Sequence, residues 1–105
     1  MDETRPEPDR DVEVLVVEDS LVQSEALRRS LEGKGYSVRV TTDGVEALEA
    51  IRDRAPAVII SDVDMPNMDG YVLCQTIKDD AHLRSIPVIL LTSLGEPEDI
   101  FRGLE

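Results

Sequence analysis

Two short aliphatic runs that each end in carboxylates constrain this chain more than any other feature. Val14-Leu15-Val16-Val17 leads into Glu18-Asp19, and Val58-Ile59-Ile60-Ser61 leads into Asp62, with Asp64 two residues on and Met65-Pro66-Asn67-Met68-Asp69-Gly70 closing the loop. Uninterrupted apolar runs of this length suit strands buried on both faces, as in parallel sheets. Two such strands would converge their carboxyl ends, and their acids, on one cluster of negative charge. Like charges within a few ångströms of one another raise each other's pKa or demand a cation. Hard oxygen ligands of this kind suit Mg²⁺, which keeps waters and accepts one or two carboxylates. The residues point to a divalent-metal site built around a reactive aspartate.

The rest of the chain supplies the helices that such a sheet needs. Residues 1–11 combine acids, arginine and two prolines without apolar periodicity and are expected to form a flexible acidic leader, with one domain over residues 12–105. Residues 12–17 are predicted as the first strand. Ser20 and Gln23 then give a capping signature for a helix carrying Val22, Ala26, Leu27 and Leu31 inward and ended by Gly33 and Gly35. Residues 36–40 alternate as a second strand, and Asp43 opens a helix that faces Val45, Leu48 and Ile51 inward before Pro56 stops it. The third strand is predicted over residues 57–61, a third helix from the Asp69 cap through Lys78, and a fourth strand over residues 87–91 ending at Thr92-Ser93. Pro97 suits the first turn of a fourth helix.

Strands alternating with helices predict an α/β fold, a doubly wound parallel sheet with right-handed crossovers and helices on both faces. Ligands of such sheets bind outside the carboxyl ends of the strands where the strand order reverses, and for the known order 2-1-3-4-5 the reversal lies between strands 1 and 3. Those are the strands that end in Glu18-Asp19 and Asp62. A formal net charge of −12 repels phosphate backbones and disfavours direct nucleic-acid binding. One cysteine, Cys74, excludes a disulfide framework and fits a reducing compartment; with no apolar run long enough for a membrane span and no signal pattern, the expectation is a cytoplasmic protein.

Glu18-Asp19, then Asp62 with Met65-Pro66-x-Met68-Asp69-Gly70, then Val88-Ile89-Leu90-Leu91-Thr92-Ser93, together resemble the receiver domain of two-component response regulators. The resemblance runs from Val12 to the last residue. It implies a flavodoxin-like receiver fold and transfer of a phosphoryl group from a phosphohistidine, on a sensor histidine kinase or a histidine phosphotransfer protein, to Asp62. Asp19 would be a direct Mg²⁺ ligand, Glu18 a ligand through water, and the backbone carbonyl of Asp64 a further ligand beside Asp62. Thr92 would hydrogen-bond the phosphoryl group and pull the loop after it, passing the signal to an output domain or effector. A receiver of this kind takes up a phosphoryl group and is not a turnover enzyme. The segment from Leu91 to Asp99 is similar to receivers attached to sensor kinases.

The chain departs from that pattern after Glu105, where receivers continue into a fifth strand ending in a lysine and a fifth helix. It is therefore read as a receiver truncated before the fifth strand, with order 2-1-3-4. Lys34 and Lys78, the only lysines, are expected at the opposite end of the strands from the metal site. The fourth strand would be left as an edge and a site of self-association. An unphosphorylated interaction module is the alternative reading. The Asp62-Val63-Asp64 sequence also resembles haloacid-dehalogenase-type phosphatases and, together with Glu18, topoisomerase-primase domains, but neither accounts for residues 65–70. Ser20, Asp43 and Asp69 are expected as helix caps, Cys74 as core and His82 as a solvated connector residue.

Overall fold

Residues 12–91 are described by a computed structural model, in which β1 (Glu13–Val17), β2 (Ser37–Thr41), β3 (Val58–Asp62) and β4 (Val88–Leu91) form one parallel sheet in the order β2-β1-β3-β4. Helices α1 (Leu21–Gly33), α2 (Gly44–Asp53) and α3 (Gly70–Asp79) alternate with the strands. The fold is the doubly wound, flavodoxin-like arrangement that the alternation predicts, and each strand begins or ends within one residue of expectation. Residues 1–11 and Thr92, together with the helix expected from Pro97, lie outside the described residues.

Successive residues of a strand face opposite sides of a sheet. Leu15, Val17, Ile59, Val88 and Leu90 join Ala47, Leu48 and Ile51 of α2 and Leu73, Cys74 and Ile77 of α3 in one buried cluster. Val14 and Val16 are equally buried but stand outside that cluster, on the face where α1 packs against β1 and β2. The core is aliphatic throughout. Tyr71 is packed against it from a partly buried position.

The three expected caps are present: Ser20, Asp43 and Asp69 each accept a hydrogen bond from the backbone N–H three residues on. The inward faces differ from expectation. Val22 is 80% exposed, Ala26 is exposed, and the buried residue of α1 is Ser24, with Leu27 and Leu31 half-buried. At 3.6 residues per turn Ser24, Leu27 and Leu31 share a face, whereas Val22 and Ala26 lie on the opposite side. The four apolar positions therefore never formed one stripe. Val45 is likewise exposed, because Ala47, Leu48 and Ile51 already fill the contact of α2.

At the amino end of the strands an ion network fastens the sheet to α2. Arg39 of β2 donates to the carbonyls of Ala50 and Arg54 at the end of α2; Ala50 also accepts the Arg54 N–H at 3.0 Å. Its Nε lies 3.0 Å from Glu13 Oε2 as an ion pair without hydrogen-bond geometry. Arg54 makes a forked pair with the same carboxylate, at 3.2 and 2.7 Å. Lys78 reaches the carbonyls of Arg84 and Ile86, in the turn that leads into β4, so it stands at this end as expected. His82 is exposed in that turn. Among the described residues β4 is an edge strand, and no helix is long and apolar enough to cross a membrane.

Candidate functional site

Because β1 and β3 are hydrogen-bonded neighbours with Val17 opposite Ser61, the residues that follow each partner, Glu18 and Asp62, emerge side by side. The N–H of Glu18 donates to the Thr41 carbonyl at 2.9 Å, which extends the β1–β2 ladder by one step and holds the acid at the sheet edge. Glu18 is only 4% exposed, and its Oε2 accepts the Ser20 N–H at 3.0 Å. Asp19 points into the open and Asp62 is half-buried. One carboxylate oxygen from each of Glu18, Asp19 and Asp62 can be chosen so that all three lie within 4.8 Å of one another.

Burial is the main reason that the Glu18 carboxyl is pushed above the ordinary range, and the charges of Asp62 and Asp19 add to it. Asp62 is raised likewise by burial and then by Asp64 and Asp19, against the backbone N–H groups of Val63 and Asp64, which favour its ionised form. The Val63 N–H donates to Asp62 Oδ1 at 2.9 Å and to the Leu91 carbonyl at 3.1 Å. Two of three clustered acids thus resist ionisation in the absence of a counter-charge. A set of carboxylate oxygens that is crowded, half-sheltered and electrostatically unsatisfied fits a small hard dication.

The acids open into a cleft of about 290 Å³ lined by Glu18, Asp19, Ser20, Gln23, Asp62, Asp64 and Leu91. The loop after Asp62 turns tightly: Gly70 N–H donates to the Val63 carbonyl at 2.9 Å, and a Cβ on Gly70 would collide with the Asp62 carbonyl and come within 3.0 Å of Val63 Cα. This close approach is why a glycine ends the motif. Glu18, Asp19, Asp62 and Asp64 are brought together as the sequence suggested, and Thr92 lies outside the described residues.

Sequence reasoning passed over two residues here. Gln23 entered it only as part of a capping signature, although it lines the cleft. Asn67 has φ 70°, a region that Asn tolerates better than most residues. Its position between Pro66 and Met68 was the available signal.

The family described as "Response regulator receiver domain" matches residues 14–105. The chain is 37% identical over 94 residues to the response regulator MprA of Mycobacterium sp. (strain KMS), covering 90% of this chain and 40% of that protein. It is 39% identical over 92 residues to the transcriptional regulatory protein CseB of Streptomyces avermitilis, covering 88% of this chain and 38% of that one. The chain therefore spans about two-fifths of the length of these relatives. Among solved structures, the signal receiver domain of a signal transduction histidine kinase from Syntrophus aciditrophicus superposes with a TM-score of 0.79 at 49% identity, over 90% of this chain and 71% of that one. The chemotaxis response regulator CheY4 of Vibrio cholerae gives 0.78 at 33% identity, over 84% and 73%.

Proposed function

The chain belongs to the response regulator receiver family of two-component signalling, and we propose that it is a phosphoacceptor in which Asp62 takes a phosphoryl group from a phosphohistidine. The observation that carries this reading is the meeting of Glu18, Asp19 and Asp62 within 4.8 Å at the carboxyl ends of adjoining strands. Glu18, Asp19, Asp62 and the Asp64 backbone carbonyl would hold Mg²⁺. When bound, the metal supplies positive charge against the equatorial phosphoryl oxygens.

The remaining work belongs to the chain. A carboxylate oxygen of Asp62 attacks phosphorus in line; the O–P bond forms as the P–N bond breaks, and the electron pair leaves with the imidazole nitrogen. The backbone N–H groups of Val63 and Asp64 favour the ionised form of Asp62 against burial and the neighbouring acids, and the Val63 N–H, 2.9 Å from Oδ1, helps to aim it. Leu21 and Val22, exposed at the start of α1 beside the cleft, offer an apolar contact for the histidine-bearing partner. Thr92 would then hydrogen-bond the new phosphoryl group and bias the surface that the output domain or effector reads. In this role the protein is a cytoplasmic switch and not a turnover enzyme, and the likeness to a receiver of a histidine kinase favours a partner of that class.

Intact mass after incubation with a small acyl-phosphate donor and Mg²⁺ tests the reading. Gain of one phosphoryl group that requires both the metal and Asp62, and is lost in Asp62→Asn, is expected. No gain under conditions in which the chain is folded would leave the interaction-module reading in its place.

A further inference from the structure

The acceptor loop is fixed at a point that the proposed phosphoryl chemistry does not use. Between Asp62 and the Asp69 cap, Asn67 sits at φ 70° in a turn closed by Met68 N–H to the Pro66 carbonyl at 2.7 Å, a three-residue turn that is costly unless its surroundings hold it. They do hold it. Asn67 Nδ2 donates to Asp43 Oδ2 at 2.8 Å, while Asp43 Oδ1 accepts the Glu46 N–H at 2.9 Å and so caps α2. Glu46 in turn accepts the Thr42 N–H at 2.8 Å, so Asp43 is itself rigidly placed. Beside this bond Met68 lies over Gly44, where a Cβ would come within 2.7 Å of its sulfur.

We propose that the Asp43–Asn67 hydrogen bond is a positioning device for the acidic site: it anchors the loop carrying Asp64 to the start of α2, and thereby sets the affinity of the Glu18, Asp19 and Asp62 cluster for a divalent cation. The inference rests on the metal-binding reading above. Asp64 is held by a loop with one end on β3, the other at the cap of α3 and Asn67 between them. Without the middle anchor the Asp64 carbonyl loses its fixed distance from the three carboxylates, as happens when outer partners of metal ligands are removed. Asp43 and Asn67 touch no reacting atom and act only through this loop.

The test is calorimetric titration with MgCl₂ of the wild-type chain, Asn67→Asp, Asn67→Gly and the pair Asp43→Asn with Asn67→Asp, with melting temperatures recorded for each. Asn67→Asp sets two carboxylates against each other; the pair restores the bond in reverse, since an amide at position 43 can cap through its oxygen and donate through its nitrogen. Asn67→Gly relieves the backbone and removes the bond. Mg²⁺ affinity is expected to fall about tenfold in both single variants and to return within about threefold of wild type in the pair. The inference is overturned by single variants that bind like wild type, or by a loss that follows melting temperature and is not restored in the pair. A wild-type chain that takes up no Mg²⁺ overturns the metal reading itself, and this inference with it.

Discussion

The Ser20 backbone N–H donates to Oε2 of Glu18 at 3.0 Å, so the most buried acid of the site is tied to the residue that starts α1. The bond comes from the main chain and not from the serine hydroxyl, which is occupied in capping the helix. A carboxylate that is nearly sealed from water and still crowded by Asp19 and Asp62 receives one hydrogen bond at Oε2 where solution would give it several. That imbalance favours the protonated form of Glu18.

The raised carboxyls of Glu18 and Asp62 fix the sign of the metal response. Each is protonated more readily in the folded chain than in the unfolded one, so its charge costs the fold nothing at low pH, and the cost develops as pH rises through the folded-state value. Mg²⁺ bound as proposed would offset that cost and compete with those protons. The rise in melting temperature on adding Mg²⁺ is expected to be largest near neutral pH and to shrink toward pH 4. At ten times the dissociation constant the stabilisation amounts to about 1.4 kcal/mol at 25 °C. Asp62→Asn should melt higher than wild type without metal and gain nothing from it. Scanning calorimetry at several pH values checks both, and a metal effect that grows on acidification would contradict the assignment.

The two close-approach glycines near the site should differ in kind when changed to alanine. At Gly70 the added methyl meets the backbone of Asp62 and Val63, which cannot move without displacing Asp62; at Gly44 it meets the Met68 side chain from sulfur back to Cβ, so a new rotamer relieves only part of the clash and the turn at Asn67 must give the rest. Both Gly70→Ala and Gly44→Ala are expected to cost about 1–3 kcal/mol, the Gly70 change more because it meets only backbone, and only Gly70→Ala is expected to slow phosphorylation directly. Denaturant unfolding of the two variants decides this, and equal costs would mean that the loop after Asp62 gives more easily than its hydrogen bonds suggest.

At the other end of the sheet, the Arg54 hydrogen bond is the main reason that the Glu13 carboxyl is held below the ordinary range, with Arg39 assisting. A depressed carboxyl stabilises the fold above its unfolded value and loses that contribution as pH falls through the folded value. Glu13→Gln should therefore cost about 1 kcal/mol at pH 7, where part of the network is exposed and screened, and almost nothing at the acid limit. Unfolding curves at pH 7 and at pH 3 measure the difference; a cost that does not depend on pH would assign Glu13 a packing role.

Strand limits were legible because aliphatic runs have few ways to be buried, and the acids were legible because a parallel sheet sends every strand end to the same edge. Helix α1 was not. Its apolar residues lie on both sides, and only the sheet beneath decides that Ser24, Leu27 and Leu31 turn inward. Asn67 escaped for a different reason. Its partner Asp43 is 24 residues away, and the bond exists only because β1 lies between β2 and β3 and brings the two following loops to one edge. No local pattern carries that information.

Asp64 lines the cleft two residues beyond the proposed acceptor, where a carboxylate can orient the water that hydrolyses an acyl phosphate. In Asp64→Asn the backbone carbonyl is kept and the side-chain acceptor is weakened, so Mg²⁺ uptake should be retained while the phosphorylated form decays about tenfold more slowly. Following decay by intact mass after removal of the donor checks this, and an unchanged rate would show that the side chain only adds charge to the rim.

As the proposed contact for a protein donor, Leu21 and Val22 would let docking be tested separately from the chemistry. Both are large apolar groups exposed at the first turn of α1, next to Ser20 and Gln23 of the cleft wall, and neither contributes to the buried core. Under the proposed function a small acyl phosphate would need only the acids and the metal, whereas a phosphohistidine would arrive on a protein that seats against this rim. Leu21→Asp with Val22→Asp should therefore slow transfer from a phosphorylated histidine kinase by about tenfold or more, since removing an interfacial anchor costs roughly 1–2 kcal/mol and a carboxylate pressed into an apolar contact is desolvated without a partner. Uptake from the small donor should stay within about twofold, because salt screens the added charge at the exposed rim. Equal loss with both donors would place the two residues in the geometry of the acidic site, and no loss with either would move the docking surface away from α1.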